Sequence, residues 1–202
     1  MATGIKMCGL TRPEDIEAVN ALRPEFIGFV FWDRSKRNVT KEQARLLKEK
    51  LDPSIKAVGV FVDANKDFVL DLCNEGIIDV IQLHGSEDEE YIFCLRDHTD
   101  KEIIKAYKVR TPEDVAAAKN SSADFILLDN GKGTGENFDW SLLTGVGRDF
   151  FLAGGLYDYN VASAIEQTHP YAVDVSSGIE KDGLKDFETM SAFLKAVRES
   201  GN

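Results

Sequence analysis

The 202-residue sequence contains no apolar run approaching the ~18 residues of a membrane span, which argues against a transmembrane protein. Strand-like residues begin at Ile5, leaving no room for a signal peptide, so the expected location is cytoplasmic. Cysteine is scarce: Cys8, Cys73 and Cys94 fit neither a disulfide framework nor a metal-type spacing, and no metal is expected. Positive charge is also short, with 24 Lys and Arg against 35 Asp and Glu and a net charge of −11. That sign disfavours nucleic acid and anionic membranes as partners, and a phosphate-bearing small molecule would need a local cationic site to offset the field. Finally, the turn Gly9-Leu10-Thr11-Arg12-Pro13 after the first strand-like run lacks the glycine fingerprint of a dinucleotide-binding open sheet.

What is present is a globular composition. Hydrophobic residues make up 43% and charged residues 29%, enough apolar material for one sizeable core, and the length favours one domain over residues 1–202. Cys73 and Cys94 fall on apolar faces of helix-like stretches, where buried, inert thiols are expected. Cys8 stands apart because it ends a strand.

Eight short runs rich in β-branched and aromatic residues recur along the chain: Ile5 to Cys8, Phe26 to Phe31, Ala57 to Val62, Asp79 to Leu83, Ile103 to Tyr107, Phe125 to Asp129, Phe150 to Ala153 and Ala172 to Val175. Their ends lie 21 to 31 residues apart, the length of a strand, a helix and two short loops. Thr11 and Glu14 read as a capping box with Pro13 in the first helical turn, and Thr111, Pro112 and Asp114 repeat that chemistry. Thr40 to Leu51, Asn65 to Glu75, Tyr157 to Thr168 and Lys185 to Arg198 read as amphipathic helices, with Gly76 placed to end the second; Trp140 to Leu143 is barely one turn. Alternating strands and helices imply an α/β fold with a parallel sheet, and eight such units imply a (β/α)8 TIM barrel. Residues 5–19 and 104–118 are identical at six of 15 positions at an offset of 99, half the chain, as a half-barrel symmetry or two helix caps converging on one solution would produce.

In such a barrel the chemistry sits where strands run into the loops that follow them. Reading across those ends gives Cys8, Arg37, Asp63, His84, Asp129, Gly154-Gly155 and Ser176-Ser177-Gly178. Taken singly, Gly-Gly and Ser-Gly punctuate ordinary turns; after strands 7 and 8 they read as a phosphate cradle. If Cys8 faces the interior, the period of two puts Lys6 inside as well, and a buried ammonium needs a partner, for which Asp174 is the candidate.

These residues also carry a family resemblance. Ile5-Lys6-Met7-Cys8-Gly9-Leu10-Thr11, Gly28-Phe29 with Ser35 and Arg37, Val58 to Val62, Gln82-Leu83-His84-Gly85, Leu128-Asp129, Gly133-Thr134-Gly135 before Phe138-Asp139-Trp140, Leu152 to Leu156, Asn160-Val161 and Val173 to Gly178 together resemble the phosphoribosylanthranilate isomerases of tryptophan biosynthesis across nearly the whole chain. The resemblance implies a cofactor-free Amadori rearrangement of N-(5-phosphoribosyl)anthranilate to 1-(o-carboxyphenylamino)-1-deoxyribulose 5-phosphate. By the family pattern Cys8 is the general base, Asp129 the general acid and Arg37 the holder of the anthranilate carboxylate. Asp174 and His84 are substrate contacts, with His84 equally able to satisfy loop backbone. Gly133, Thr134 and Gly135 form a loop that could help enclose the substrate.

The acid has to meet the ring oxygen still carrying its proton, and the apolar stretch Phe125-Ile126-Leu127-Leu128 leads to Asp129 as such a role requires. The base works best with a cation or helix terminus to favour its thiolate. Two positions depart from the family pattern: Lys36 stands where Ser-Pro-Arg has proline, and Lys132 replaces the first glycine of Gly-Gly-Thr-Gly. A related isomerase of histidine synthesis would need a second carboxylate and a duplicated phosphate site, and a noncatalytic sensor barrel would bind without turnover. No cofactor, nucleic acid or membrane partner is expected, and the sequence leaves monomer and homodimer equally open.

Overall fold

The eight apolar runs become eight parallel strands. The structure, a computed structural model, describes residues 2–129, 139–143 and 145–200. Strands β1 (Gly4–Cys8), β2 (Phe26–Phe31), β3 (Lys56–Phe61), β4 (Val80–Leu83), β5 (Glu102–Lys108), β6 (Phe125–Asp129), β7 (Phe150–Ala153) and β8 (Ala172–Val175) pair in chain order, and β8 closes on β1. Helices α1 (Pro13–Leu22), α2 (Lys41–Lys48), α3 (Lys66–Asn74), α4 (Glu89–Arg96), α5 (Pro112–Lys119), α6 (Val161–Thr168) and α7 (Phe187–Ser200) cover the outside. Only a 3₁₀ turn, Trp140–Leu143, represents the helical layer between β6 and β7 among the described residues. The residues Gly133, Thr134 and Gly135, read from sequence as a loop over the site, lie outside the described residues, as does Lys132.

The alternation of side chains along each strand separates two cores. Residues such as Ile5, Met7, Ile27, Phe29, Ile81 and Leu128 point outward into the layer shared with the helices. Cys8, Phe26, Val58, Val80, Leu127 and Phe151 point inward and fill the barrel. Its floor is aromatic: Phe125 stacks on Tyr171 with ring centroids 4.8 Å apart, and Phe26 meets Phe151 edge-on at 5.4 Å.

The likeness of the two segments includes their helix caps. Asp15 Oδ2 accepts from the backbone N–H groups of Thr11 and Arg12 at 2.9 and 3.0 Å, and Asp114 Oδ2 accepts from those of Arg110 and Thr111 at 2.8 and 2.9 Å. The Thr111–Asp114 box forms as read. The α1 box does not: Arg12, not Thr11, is the cap residue, and Asp15, not Glu14, closes it. The shifted pair matches Thr111 and Asp114 at the offset of 99, so the helix start obeys the internal echo rather than the local Thr-x-x-Glu signal.

Three further expectations are corrected. Lys185 does not begin the last helix but lies in a two-stranded hairpin, β9 (Glu180–Lys181) and β10 (Leu184–Lys185), and α7 starts at Phe187. Helix α6 begins at Val161 because the preceding turn is closed by Asn160 Oδ1, which accepts from Tyr157 N at 2.8 Å. Cys73 is buried as expected, whereas Cys94 is half-buried at the edge of its helix's apolar face.

Candidate active site

At the carboxyl ends of the strands a cavity of about 990 Å³ opens to solvent. Cys8, Arg37, His84, Asp129 and Asp174 line it, as do Gly154 and Gly155 after β7 and Ser176, Ser177 and Gly178 after β8. Every described residue singled out from sequence as a site residue therefore shares one cavity. Asp63, also read out as a strand end, is the exception: it lies in the loop after β3 and does not line the cavity, because its carboxylate accepts from Ser86 N and Oγ and ties two neighbouring loops together.

Cys8 sits on β1 directly beside Gly28 of β2, to which it is in register. A Cβ on Gly28 would lie 2.6 Å from Cys8 Sγ, so only glycine leaves the thiol this position. Below it, fully buried Lys6 donates from Nζ to Asp174 Oδ1 at 2.9 Å, across strands in which the two residues face each other in register. The partner anticipated from the period of two is thus the one found. Burial alone would pull Lys6 down, but the adjacent Asp174 carboxylate holds it above the usual lysine value. For Cys8 the balance reverses: burial pushes the thiol up and outweighs Lys6 and Lys185, which favour the thiolate. The cations that a thiol base calls for are present, but burial outweighs them.

Asp129 ends β6, and His84 Nε2 stands 3.9 Å from its Oδ2. Burial keeps His84 below its ordinary value, against the pull of Asp129 and Asp174, so the ring is neutral at neutral pH. Gln82 Nε2 lies 3.0 Å from His84 Nδ1. With the amide donating to Nδ1, the ring proton resides on Nε2, the nitrogen turned to Asp129. That arrangement leaves Gln82 Oε1 buried with no hydrogen-bond partner among the described residues.

Arg37 is packed across Gly9, whose positive φ of 81° and missing Cβ both matter: a Cβ there would lie 2.4 Å from Arg37 Cδ. Its guanidinium is engaged within the protein. Nε and Nη2 donate to Glu180 Oε1 and Oε2 at 2.6 and 2.8 Å. Glu180 also accepts from buried Lys185 Nζ at 2.8 Å, and Lys185 Nζ donates in turn to Ser176 O at 2.8 Å. Burial works against the Glu180 charge, but the hydrogen bonds from Arg37 and Lys185 prevail and hold it at about 2. Lys185 is pulled down by burial, with Glu180 opposing.

A scan against family models matches residues 5–196 to the N-(5'-phosphoribosyl)anthranilate isomerase model. The chain is also 45% identical to the N-(5'-phosphoribosyl)anthranilate isomerase of Clostridium kluyveri over 197 residues, spanning 96% of this chain and 97% of that one. The chain belongs to the N-(5'-phosphoribosyl)anthranilate isomerase family. Among solved members, a phosphoribosyl anthranilate isomerase in complex with reduced 1-(o-carboxyphenylamino)-1-deoxyribulose 5-phosphate superimposes with a TM-score of 0.88 at 35% identity, covering 98% of this chain and 99% of that one. Monomers generated from the dimeric isomerase of Thermotoga maritima match with a TM-score of 0.87 at 35% identity and the same coverage.

Within this isomerase frame, Lys36 at the family's proline position places its Nζ 3.9 Å from Glu180 Oε2, so the departure adds a cation beside the Arg37–Glu180 pair. Sequence reasoning missed Glu180, Lys185 and Gln82. Glu180 and Lys185 lie on two-residue strands with no periodicity to read, and Gln82 was passed over as part of a strand body although the period of two places it inside. A fourth omission, Lys105, lines the cavity wall and donates to Gly85 O at 2.8 Å and to buried Glu87 at 2.9 Å, fixing the backbone next to His84. No cluster of three or more His, Cys, Asp or Glu able to hold a metal exists among the described residues, and no described helix is long and apolar enough to cross a membrane.

Proposed function

We propose that this chain converts N-(5-phosphoribosyl)anthranilate into 1-(o-carboxyphenylamino)-1-deoxyribulose 5-phosphate, with Asp129 as acid and Cys8 as base. The supporting observation is the convergence of Cys8, Asp129, Arg37 and the two post-strand loops on one cavity in a chain of this family. Asp129 protonates the ribose ring oxygen, the bond from that oxygen to C1 breaks, and the nitrogen lone pair forms a protonated Schiff base. Cys8 removes the proton from C2 and the electron pair moves to neutralise the nitrogen, giving an enaminol. Return of a proton to C1 and loss of the C2 hydroxyl proton yield the ketone. The protons balance, and the reaction consumes no oxidant or reductant.

The cationic Schiff base forms before Cys8 acts, so a positive charge is near the thiol when its thiolate is needed; Lys6 and Lys185 add to it. Gly154, Gly155, Ser176, Ser177 and Gly178 receive the phosphate, and Asp174 and His84 contact the ribosyl hydroxyls. Gln82 Oε1 takes a substrate N–H or hydroxyl that it otherwise lacks. The same reading takes residues 1–202 as one barrel domain working in the cytoplasm on a phosphosugar.

Arg37 takes the anthranilate carboxylate through its outer edge, a fork of N–H groups that an ammonium cannot reproduce. The variant Arg37→Lys should raise KM by about tenfold or more, the loss of roughly one charge-assisted hydrogen bond, with little effect on melting. Loss of anthranilate fluorescence on adding freshly generated phosphoribosylanthranilate measures both the activity and this change. An unchanged KM removes Arg37 from the assignment, and binding without turnover by the native chain overturns the reaction itself.

A further inference from the structure

The hairpin β9–β10 carries a charged chain whose central carboxylate, Glu180, no step above employs. Arg37 reaches Glu180, Glu180 reaches Lys185, Lys185 reaches Ser176, and Ser176 Oγ donates to the backbone carbonyl of Cys8 at 3.0 Å. Glu180 is its centre, and its side chain is 7% exposed. The hairpin itself is braced from outside, because the Arg12 guanidinium bonds both Asp15 and the carbonyl of Lys185, the latter at 2.7 Å.

The geometry of the Arg37–Glu180 pair decides what Glu180 does. A guanidinium has five N–H groups: one on Nε and two on each terminal nitrogen. Glu180 occupies Nε and one N–H of Nη2, the side-on edge. The two N–H groups of Nη1 and the second of Nη2 are outside that contact, and the end-on edge they form is a second fork matched to a carboxylate. A ligand carboxylate can therefore bind Arg37 without displacing Glu180. The opposite arrangement, with Glu180 end-on, would have made it a competitor for the ligand.

We propose that Glu180 is a positioning residue for the isomerase reaction, holding Arg37 by its side-on edge for the substrate carboxylate while anchoring the Lys185 ammonium beside the backbone that carries Cys8. The first half rests on the reading of Arg37 as the carboxylate anchor; the second half does not. One carboxylate thus couples the grip on the substrate's aromatic end to the cation nearest the base on this hairpin. Without it, buried Lys185 gives up its proton more readily, and Cys8 loses a neighbouring positive charge.

Steady-state kinetics of E180Q and E180D across pH test this. E180Q should raise KM by about tenfold and move the acidic limb of kcat/KM to higher pH by about one unit, since the thiolate then forms later. E180D, which keeps the charge on a shorter arm, should recover part of both. A residue that only braced the hairpin would lower the melting temperature and leave the limb where it is. In folded E180Q, an unchanged KM with an unmoved limb overturns the inference. A moved limb alongside an Arg37→Lys variant of normal KM supports the Lys185 half and marks the anchor reading as the part that failed. Should E180Q not fold, the native protein decides. The ¹⁵N-resolved Nε–H signal of Arg37 should stay hydrogen-bonded when reduced 1-(o-carboxyphenylamino)-1-deoxyribulose 5-phosphate is added. Loss of that protection on binding means the ligand displaces Glu180, and overturns the proposal.

Discussion

Exchanging Asp129 for asparagine is expected to lower kcat by roughly 10²–10⁴-fold, the usual contribution of a general acid or base, while the melting temperature hardly moves. Asparagine keeps the size and much of the hydrogen-bonding capacity of the side chain, and the residue is half-buried at a strand end, so folding has little reason to respond. What it cannot do is release a proton to the ribose ring oxygen. The companion variant Cys8→Ser should cost a similar factor for the opposite reason. A hydroxyl fits the space beside Gly28, yet it forms its anion far less readily than a thiol does. With Cys8 as the proposed base, the deprotonated thiol is the active form and burial raises its pKa, so kcat/KM should still be climbing as pH passes through the ordinary thiol range. Fluorescence decay of phosphoribosylanthranilate at several pH values gives all three quantities. A folded Asp129→Asn protein with native kcat would take Asp129 out of the chemistry.

The second large effect concerns stability. Asp174→Asn leaves the fully buried Lys6 ammonium without its counter-charge and should destabilise the fold by about 3–5 kcal/mol, the range for breaking a buried pair from one side. For a chain of this length that corresponds to roughly 10 °C in melting temperature. Adding Lys6→Met to the same variant should restore much of the loss, because no uncompensated charge then remains inside the barrel. Because Lys6 is held above its unfolded value, its stabilising contribution is complete at neutral pH and disappears only as pH rises through the raised folded value. Differential scanning calorimetry of the single and double variants separates the two cases. A single variant that melts with the native protein shows that the pair is energetically idle.

Much of this architecture is legible in the sequence because barrel physics is periodic. Alternation along β1 put Lys6 and Cys8 on the same side, the cost of burying an ammonium demanded an acid, and the register of β8 supplied Asp174. The strand-end rule brought Arg37, His84 and Asp129 together although they lie on three different units. Where the reading failed, a local signal lost to a distant one. Thr11 and Glu14 look like a cap, but Asp15 both closes the helix and holds Arg12, whose guanidinium reaches the hairpin. Lys185 directly precedes the amphipathic stretch of α7 and so reads as its start; its actual partner, Glu180, is fixed by a turn of the chain and by Arg37, 143 residues away. No pattern within a helix or a strand encodes an ion pair of that kind.

The aromatic floor has a consequence for traffic. With Phe26, Phe151, Phe125 and Tyr171 packed across the far end of the barrel, the described structure offers the cavity one doorway, at the carboxyl ends of the strands. Reactant and product of the proposed reaction are isomers that carry the same phosphate and the same carboxylate, so on the proposed assignment they share that opening and the same two grips inside. Turnover is then a single-file exchange, in which each spent molecule must back out past the point where the next one enters, and the accumulating product becomes the substrate's most direct rival for the room.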